Sequence, residues 1–192
     1  MSDKNKNVLI FGGGTGIGAS CALVLAENEF QVAISGRREE KLKEIAEKSE
    51  SQIHYSAGDV SNREQVNQII QWAEKEMGSI DIMINSAGVN IPNRSMKTVT
   101  PDDWDFLLKV NATGAYNCMQ AVLPSMLEQK DGLIINISSV AGIRAGMLGG
   151  VAYNASKFAM SALGTSVAQE FKDDGIRVTT IYPGEVETPI LD

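Results

Sequence analysis

The sequence predicts a doubly wound α/β domain, a parallel sheet with helices on both faces. Three observations predict it. Short apolar runs alternate with longer amphipathic segments along all 192 residues. A glycine-rich string stands between the first apolar run and the first amphipathic one. No internal repeat, low-complexity tract or interdomain linker breaks the alternation. The chain is long enough for one sizeable core, and 43% apolar with 21% charged residues is ordinary for a globular protein.

Taken in order, Val8–Phe11, Val32–Ser35, Ile53–Ala57, Ile80–Ile84, Leu133–Ile137 and Val178–Ile181 read as short buried strands. Between them, apolar spacing near 3.6 residues predicts helices over Ile17–Glu27, Glu39–Lys48, Arg63–Met77, Pro101–Met126 and Tyr153–Phe171. Ser61 before Arg63 marks one helix entry. Thr100-Pro101-Asp102-Asp103 marks another, with a capping hydroxyl, proline in the first turn and acids at the positive end of the helix. Asn111 interrupts the long fourth pattern, where its carboxamide can bend the helix or hold water. Strands separated by helices require right-handed crossovers, hence a parallel sheet forming one domain over residues 1–192.

Charge and composition exclude several classes. A net charge of −7 repels phosphate backbones, so nucleic acid is not an expected partner, although a local basic pocket for one nucleotide is compatible with it. Cys21 and Cys118 fall within apolar helical patterns and read as small buried hydrophobes; no Cys/His cluster has metal-ligand spacing. The lone His54 sits in a strand without an evident partner. Met1–Asn7 is polar, and no apolar stretch approaches a membrane span or a signal segment, which predicts a cytoplasmic protein.

The string Phe11-Gly12-Gly13-Gly14-Thr15-Gly16-Ile17-Gly18 follows the first strand and opens the first helix. Glycine is required where backbone turns tightly or approaches a pyrophosphate, and the helix start offers free N–H groups and a positive dipole end. The spacing Gly12-x-x-x-Gly16-x-Gly18 differs from the common G-x-G-x-x-G. Roughly 20 residues beyond such a loop, dinucleotide folds place the group that reads the adenosine ribose, an acid when the cofactor is NAD. Here Ser35-Gly36-Arg37-Arg38 stands there. A guanidinium fork suits a 2′-phosphate, which predicts NADP(H) as the preferred cofactor and NAD(H) as the alternative. Ser35 and Arg37 are the expected contacts, with Arg38 as a second.

Tyr153 and Lys157 are four residues apart and therefore share a helical face. A phenol with pKa ~10 is a poor base near neutrality, and a neighbouring ammonium is expected to draw it towards the working range. Upstream, Ile135-Asn136-Ile137-Ser138-Ser139 closes a buried strand, where a hydroxyl can donate to a substrate oxygen as charge develops. Asn85-Ser86-Ala87-Gly88 closes the fourth strand.

With these residues the chain resembles the short-chain dehydrogenase/reductase family over essentially its whole length. The matched features are Gly12-x-x-x-Gly16-Ile17-Gly18, Asp59-Val60, Asn85-Ser86-Ala87-Gly88, Asn111, Ser139, Tyr153-x-x-x-Lys157 and Pro183-Gly184-x-Val186-x-Thr188. The resemblance implies a Rossmann-like sheet in the order 3-2-1-4-5-6, and hydride transfer between nicotinamide and a secondary alcohol or ketone. It implies Tyr153 as general acid and base, and Lys157 lowering its pKa while holding the nicotinamide ribose. Ser139 rather than Ser138 would polarise the substrate oxygen, and Asn111 would position a water that relays protons to Lys157. It further implies that Gly12, Gly14, Thr15, Gly16, Ile17 and Gly18 cradle the cofactor phosphates. Asp59 and Val60 would meet the adenine, Asn85, Ala87 and Gly88 would line the channel, and Ile181, Pro183, Gly184, Val186 and Thr188 would border the nicotinamide. Phe11 replaces the family's usual Thr, and Ser86 its second Asn.

The chain stops at Asp192, where similar proteins continue into a substrate lid, a helix and a final strand. The expectation is therefore a cofactor half with catalytic groups but no lid. The alternative activity is a nucleotide-binding module with little turnover. A sugar-nucleotide epimerase or dehydratase shares Y-x-x-x-K but has a different glycine spacing and a longer chain. The resemblance also implies a homodimer through the long helices, and disfavours a tetramer.

Overall fold

Asn7–Phe11 (β1) buries every one of its side chains, and that decides the layering. Successive side chains of a strand point to opposite faces. Val8 and Ile10 accordingly join one apolar cluster while Leu9 and Phe11 join another. A strand buried on both sides needs a helix layer on each. The computed structural model, which describes residues 6–187, supplies both layers.

Along the chain, β1 leads into α1 (Gly16–Glu27), β2 (Gln31–Gly36), α2 (Glu39–Lys48), β3 (Ile53–Ala57), α3 (Arg63–Met77) and β4 (Ile82–Asn85). Then follow α4 (Pro101–Leu107), a π-helical turn (Leu108–Thr113), α5 (Gly114–Gln129), β5 (Gly132–Ile137), α6 (Val151–Glu170) and β6 (Ile176–Ile181). The six strands form one sheet in the order β3-β2-β1-β4-β5-β6, and every pairing is parallel. The alternation predicts the doubly wound parallel sheet, and the order is the Rossmann-like one that the resemblance implies. Helices α1 and α2 cover one face; α3, α5 and α6 cover the other.

Several local expectations change. The cap of α3 is Asn62, whose Oδ1 accepts from the backbone N–H of Glu64 (3.0 Å) and Gln65 (3.2 Å). Ser61 instead donates its own N–H to Asp59 Oδ1 at 2.8 Å. At α4 the expected cap forms as a full capping box between Thr100 and Asp103. Strand β4 starts at Ile82 rather than Ile80, because Asp81 and Ser79 are drawn into contacts with Asn7. The predicted helix over Pro101–Met126 is split around Asn111 by the π turn, a wider coil that accommodates an inserted contact. His54 has a partner after all, Glu76, at 3.5 Å. Among the described residues no helix is long and apolar enough to cross a membrane.

Capping carries a measurable share of α3. Replacing an Asn cap by Ala costs about 1 kcal/mol. Urea denaturation of Asn62→Ala is expected to show that loss, with a smaller one in Ser61→Ala; the reverse ranking would return the cap to Ser61.

Candidate active site

Strand order reverses at β1, whose neighbours β2 and β4 lie on opposite sides of it, and ligand crevices in such sheets open at the carboxyl ends of these strands. A cleft opens there. The chain enters it at Gly12, whose φ of +80° favours glycine, and where a Cβ would run into Ser86 and Ala87 backbone at 2.6–2.8 Å. A Cβ on Gly18 would strike the Gly12 carbonyl, so Gly18 acts by letting α1 pack against the turn rather than by facing the cleft. Gly12, Gly14, Thr15, Gly16 and Ile17 line the cleft. No side chain caps the start of α1 and no acid stands in its first turn, which leaves the site open to an anion.

At the far end of the cleft stand Ser139, Tyr153 and Lys157. Lys157 lies on the same face of α6 as Tyr153, its Nζ 5.7 Å from the ring centre. The ammonium is buried and donates to the Ile137 carbonyl at 3.0 Å. Burial pushes its pKa down to about 8. Tyr153 does not behave as the sequence predicts: burial raises its pKa, opposed by a hydrogen bond with Ser139 and by the charge of Arg94. Lys157 is not among these influences, although its Nζ stands 5.7 Å from the ring centre. Of the two serines, Ser138 is buried and bonded to Ser161 and the Lys157 carbonyl, both at 3.3 Å. Ser139 is the one that reaches the phenol. Its Oγ accepts from Ala141 N–H at 3.1 Å, which leaves its own proton free to donate.

Asn111 is wholly buried and does not face the cleft. Its Oδ1 accepts from Val89 N–H (2.8 Å), and its Nδ2 donates to the Val89 carbonyl (2.9 Å) and to Ser156 Oγ (3.0 Å). Ser156 in turn donates to the Tyr153 carbonyl at 2.8 Å. Gly88 sits where a Cβ would come within 3.4 Å of Lys157 Nζ and 3.5 Å of Asn111 Oδ1.

Other sequence-selected residues divide the same way. Arg37, Arg38, Asp59, Val60, Ala87, Gly88, Pro183, Gly184 and Val186 line the cleft. Ser35 does not: its side chain is fully buried between strands, and it is its backbone carbonyl that serves the loop, accepting from Gly12 (2.7 Å) and Gly13 (3.0 Å) N–H. Asn85 is also buried, its Oδ1 accepting from Ala87 N–H at 3.3 Å to shape the turn. Ile181 is absent from the cleft wall, and Thr188 lies outside the described residues. Arg144 lines the cleft, and so do Lys41 and Arg94, which the sequence did not single out. Lys41 could have been found one turn into α2 from Arg37. Arg94 had no sequence signal, because only the fold of the loop after β4 carries it towards Tyr153.

The residues present fit an extended dinucleotide: basic side chains where β2 ends, a backbone cradle without Cβ atoms at Gly12, and hydroxyl and ammonium groups at the opposite end. Comparison with known proteins agrees. A family model described as short chain dehydrogenase matches residues 6–192. An uncharacterised oxidoreductase of Staphylococcus aureus strain MW2 is 35% identical over 187 residues, covering 97% of this chain and 80% of that protein. A second, from Listeria innocua, is 35% identical over 197 residues, covering 100% and 79%. Among solved structures, levodione reductase superposes with TM-score 0.93 at 28% identity, over 98% of this chain and 74% of that one. The structure of ElxO with NADP bound gives TM-score 0.91 at 34% identity, over 97% and 76%.

The depressed pKa of Lys157 has a consequence for stability without ligand. Below about 8 both folded and unfolded chains hold the proton and the burial cost is constant. Between about 8 and about 9 the unfolded chain binds more protons at Lys157 than the folded one, so this group's contribution to stability rises with pH. The two thiols act the other way in the same window, because they begin to ionise in the unfolded chain while burial raises both in the folded one. Both proteins keep the thiols, so in thermal melts across the window the Tm of the unaltered protein is expected to rise relative to that of Lys157→Met. Parallel profiles would mean that the ammonium is not held at a cost.

Proposed function

The chain belongs to the short-chain dehydrogenase family and is an oxidoreductase; we propose that it exchanges hydride between NADP(H) and a secondary alcohol or ketone, with Tyr153 as general acid and base. The observation that carries the reading is the meeting of Ser139, Tyr153 and Lys157 in the same cleft as the glycine turn. NADP(H), when bound, supplies the hydride. The chain's own groups handle the proton. Burial raises the Tyr153 pKa, which keeps the phenol protonated and ready to donate to a carbonyl oxygen during reduction. In the oxidative direction the same group must accept a proton, and the Ser139 hydrogen bond and the Arg94 charge both favour the phenolate. Ser139 donates to the substrate oxygen as negative charge builds on it. Lys157, with one N–H committed to Ile137, keeps two for the ribose hydroxyls.

The preference for NADP(H) rests on the end of β2. Gly36 is followed by exposed Arg37 and Arg38, and no acid occupies the position that would read a free ribose. Lys41 faces the same corner, but Glu44 already holds its ammonium at 2.8 Å. Arg37 is thus the principal 2′-phosphate partner.

Two variants test these roles separately. Tyr153→Phe is expected to lower kcat for carbonyl reduction roughly 10²–10⁴-fold while NADPH fluorescence titration gives an unchanged Kd. Undiminished turnover would remove Tyr153 from the proton path. Losing a charge-assisted hydrogen bond costs about 1.5–3 kcal/mol, so Arg37→Ala should raise Kd for NADPH roughly 10- to 100-fold. Binding of NADH should be little changed; equal loss for both cofactors would sink the assignment.

A further inference from the structure

We infer that the substrate end of the cleft recognises an oxyanion, a carboxylate or phosphate carried by the carbonyl compound, through Arg94 and Arg144. This rests on the hydride-transfer reading above and narrows its substrate class.

The chain has 24 acidic and 17 basic residues, yet the cleft inverts that balance. Six basic side chains line it, Arg37, Arg38, Lys41, Arg94, Arg144 and Lys157, against two acids, Asp59 and Glu185. The first three serve the end of β2, and Lys157 is bonded to Ile137. Arg94 and Arg144 are left over, at the Tyr153 end. They arrive from different segments, the loop after β4 and the loop after β5. Arg94 is half-buried and held in place: Nε donates to the Ile91 carbonyl (2.8 Å) and Nη1 to the Leu148 carbonyl (3.1 Å). Both bonds go to neutral carbonyls, so the charge is positioned but not neutralised, and its field is felt at the Tyr153 phenol. Arg144 is exposed, and its backbone N–H is pinned to the Val140 carbonyl at 2.9 Å. No ion pair joins either arginine to an acid among the described residues. Asp59 stands at the other end, accepting from Ser61 N–H, and Glu185 is exposed.

A preordered guanidinium with no internal counter-charge, beside the group that protonates the substrate, is what an anionic substrate requires. Without an anion, the half-buried Arg94 charge beside the phenol has no counter-charge among the described residues.

Matched pairs test this. kcat/KM with NADPH is measured for 4-oxopentanoate against its methyl ester, and for dihydroxyacetone phosphate against dihydroxyacetone. The charged member should win by about tenfold or more in at least one pair, as one charge-assisted contact supplies, and that pair identifies carboxylate or phosphate as the anion. Arg144→Gln and Arg94→Gln should collapse the ratio towards unity, whereas damage to the fold would lower both members together and leave the ratio standing. Equal rates within both pairs, or a ratio untouched in Arg144→Gln, would overturn the inference. Calorimetric titration of the same four compounds into the NADP complex separates the two readings. Tight binding of the charged members without turnover would sink hydride transfer and keep the anion site; turnover with no charge preference would do the opposite.

Discussion

One buried carboxamide holds the site together. Asn111 pairs with both the N–H and the carbonyl of Val89 and with the Ser156 hydroxyl, and Ser156 reaches the Tyr153 carbonyl. Three segments distant in sequence, the loop after β4, the π turn and the first turns of α6, are thereby fixed to one another. Removing the amide would take away the partner of both Val89 backbone groups and untie the three segments. The π turn is the local distortion that puts the amide there, in keeping with the concentration of such turns at functional sites.

Around that anchor, backbone and side chains divide the labour. The nucleotide end of the cleft is built from main chain: a turn at Gly12 pressed against Ser86 and Ala87, and the uncapped start of α1. The reacting end is built from side chains whose ionisation is set by burial. Lys157 loses charge stability and Tyr153 resists ionisation, both from desolvation. The groups that push the phenol the other way are Ser139 and Arg94. An acidic protein thus keeps a cleft lined mainly by basic side chains.

Much of this was legible in the residues alone. Strand and helix periods differ, so apolar spacing located all six strands and the helices within a few residues. Gly12 and the Tyr153–Lys157 pair could be read because turn geometry and helical spacing are local. Ser35 and Asn85 were misjudged for a different reason. Both stand at strand ends beside the cleft, but a strand alternates its faces, and tertiary packing turned these two side chains inward while their neighbours Gly36 and Ser86 met the opening. Asn62 rather than Ser61 caps α3, because the helix starts one residue later and it is the Asn62 Oδ1 that reaches the free N–H groups of Glu64 and Gln65.

By itself, then, the sequence determined the layering, the parallel sheet, the position of the glycine turn and the shared helical face of Tyr153 and Lys157, because each depends on contacts between residues near in sequence or on a repeating pattern. The tertiary structure decided which charges meet. Arg94 is 59 residues from Tyr153, and only the fold brings its charge to bear on the phenol. Electrostatic coupling follows distance through space and the degree of burial, and neither quantity is written in spacing along the chain.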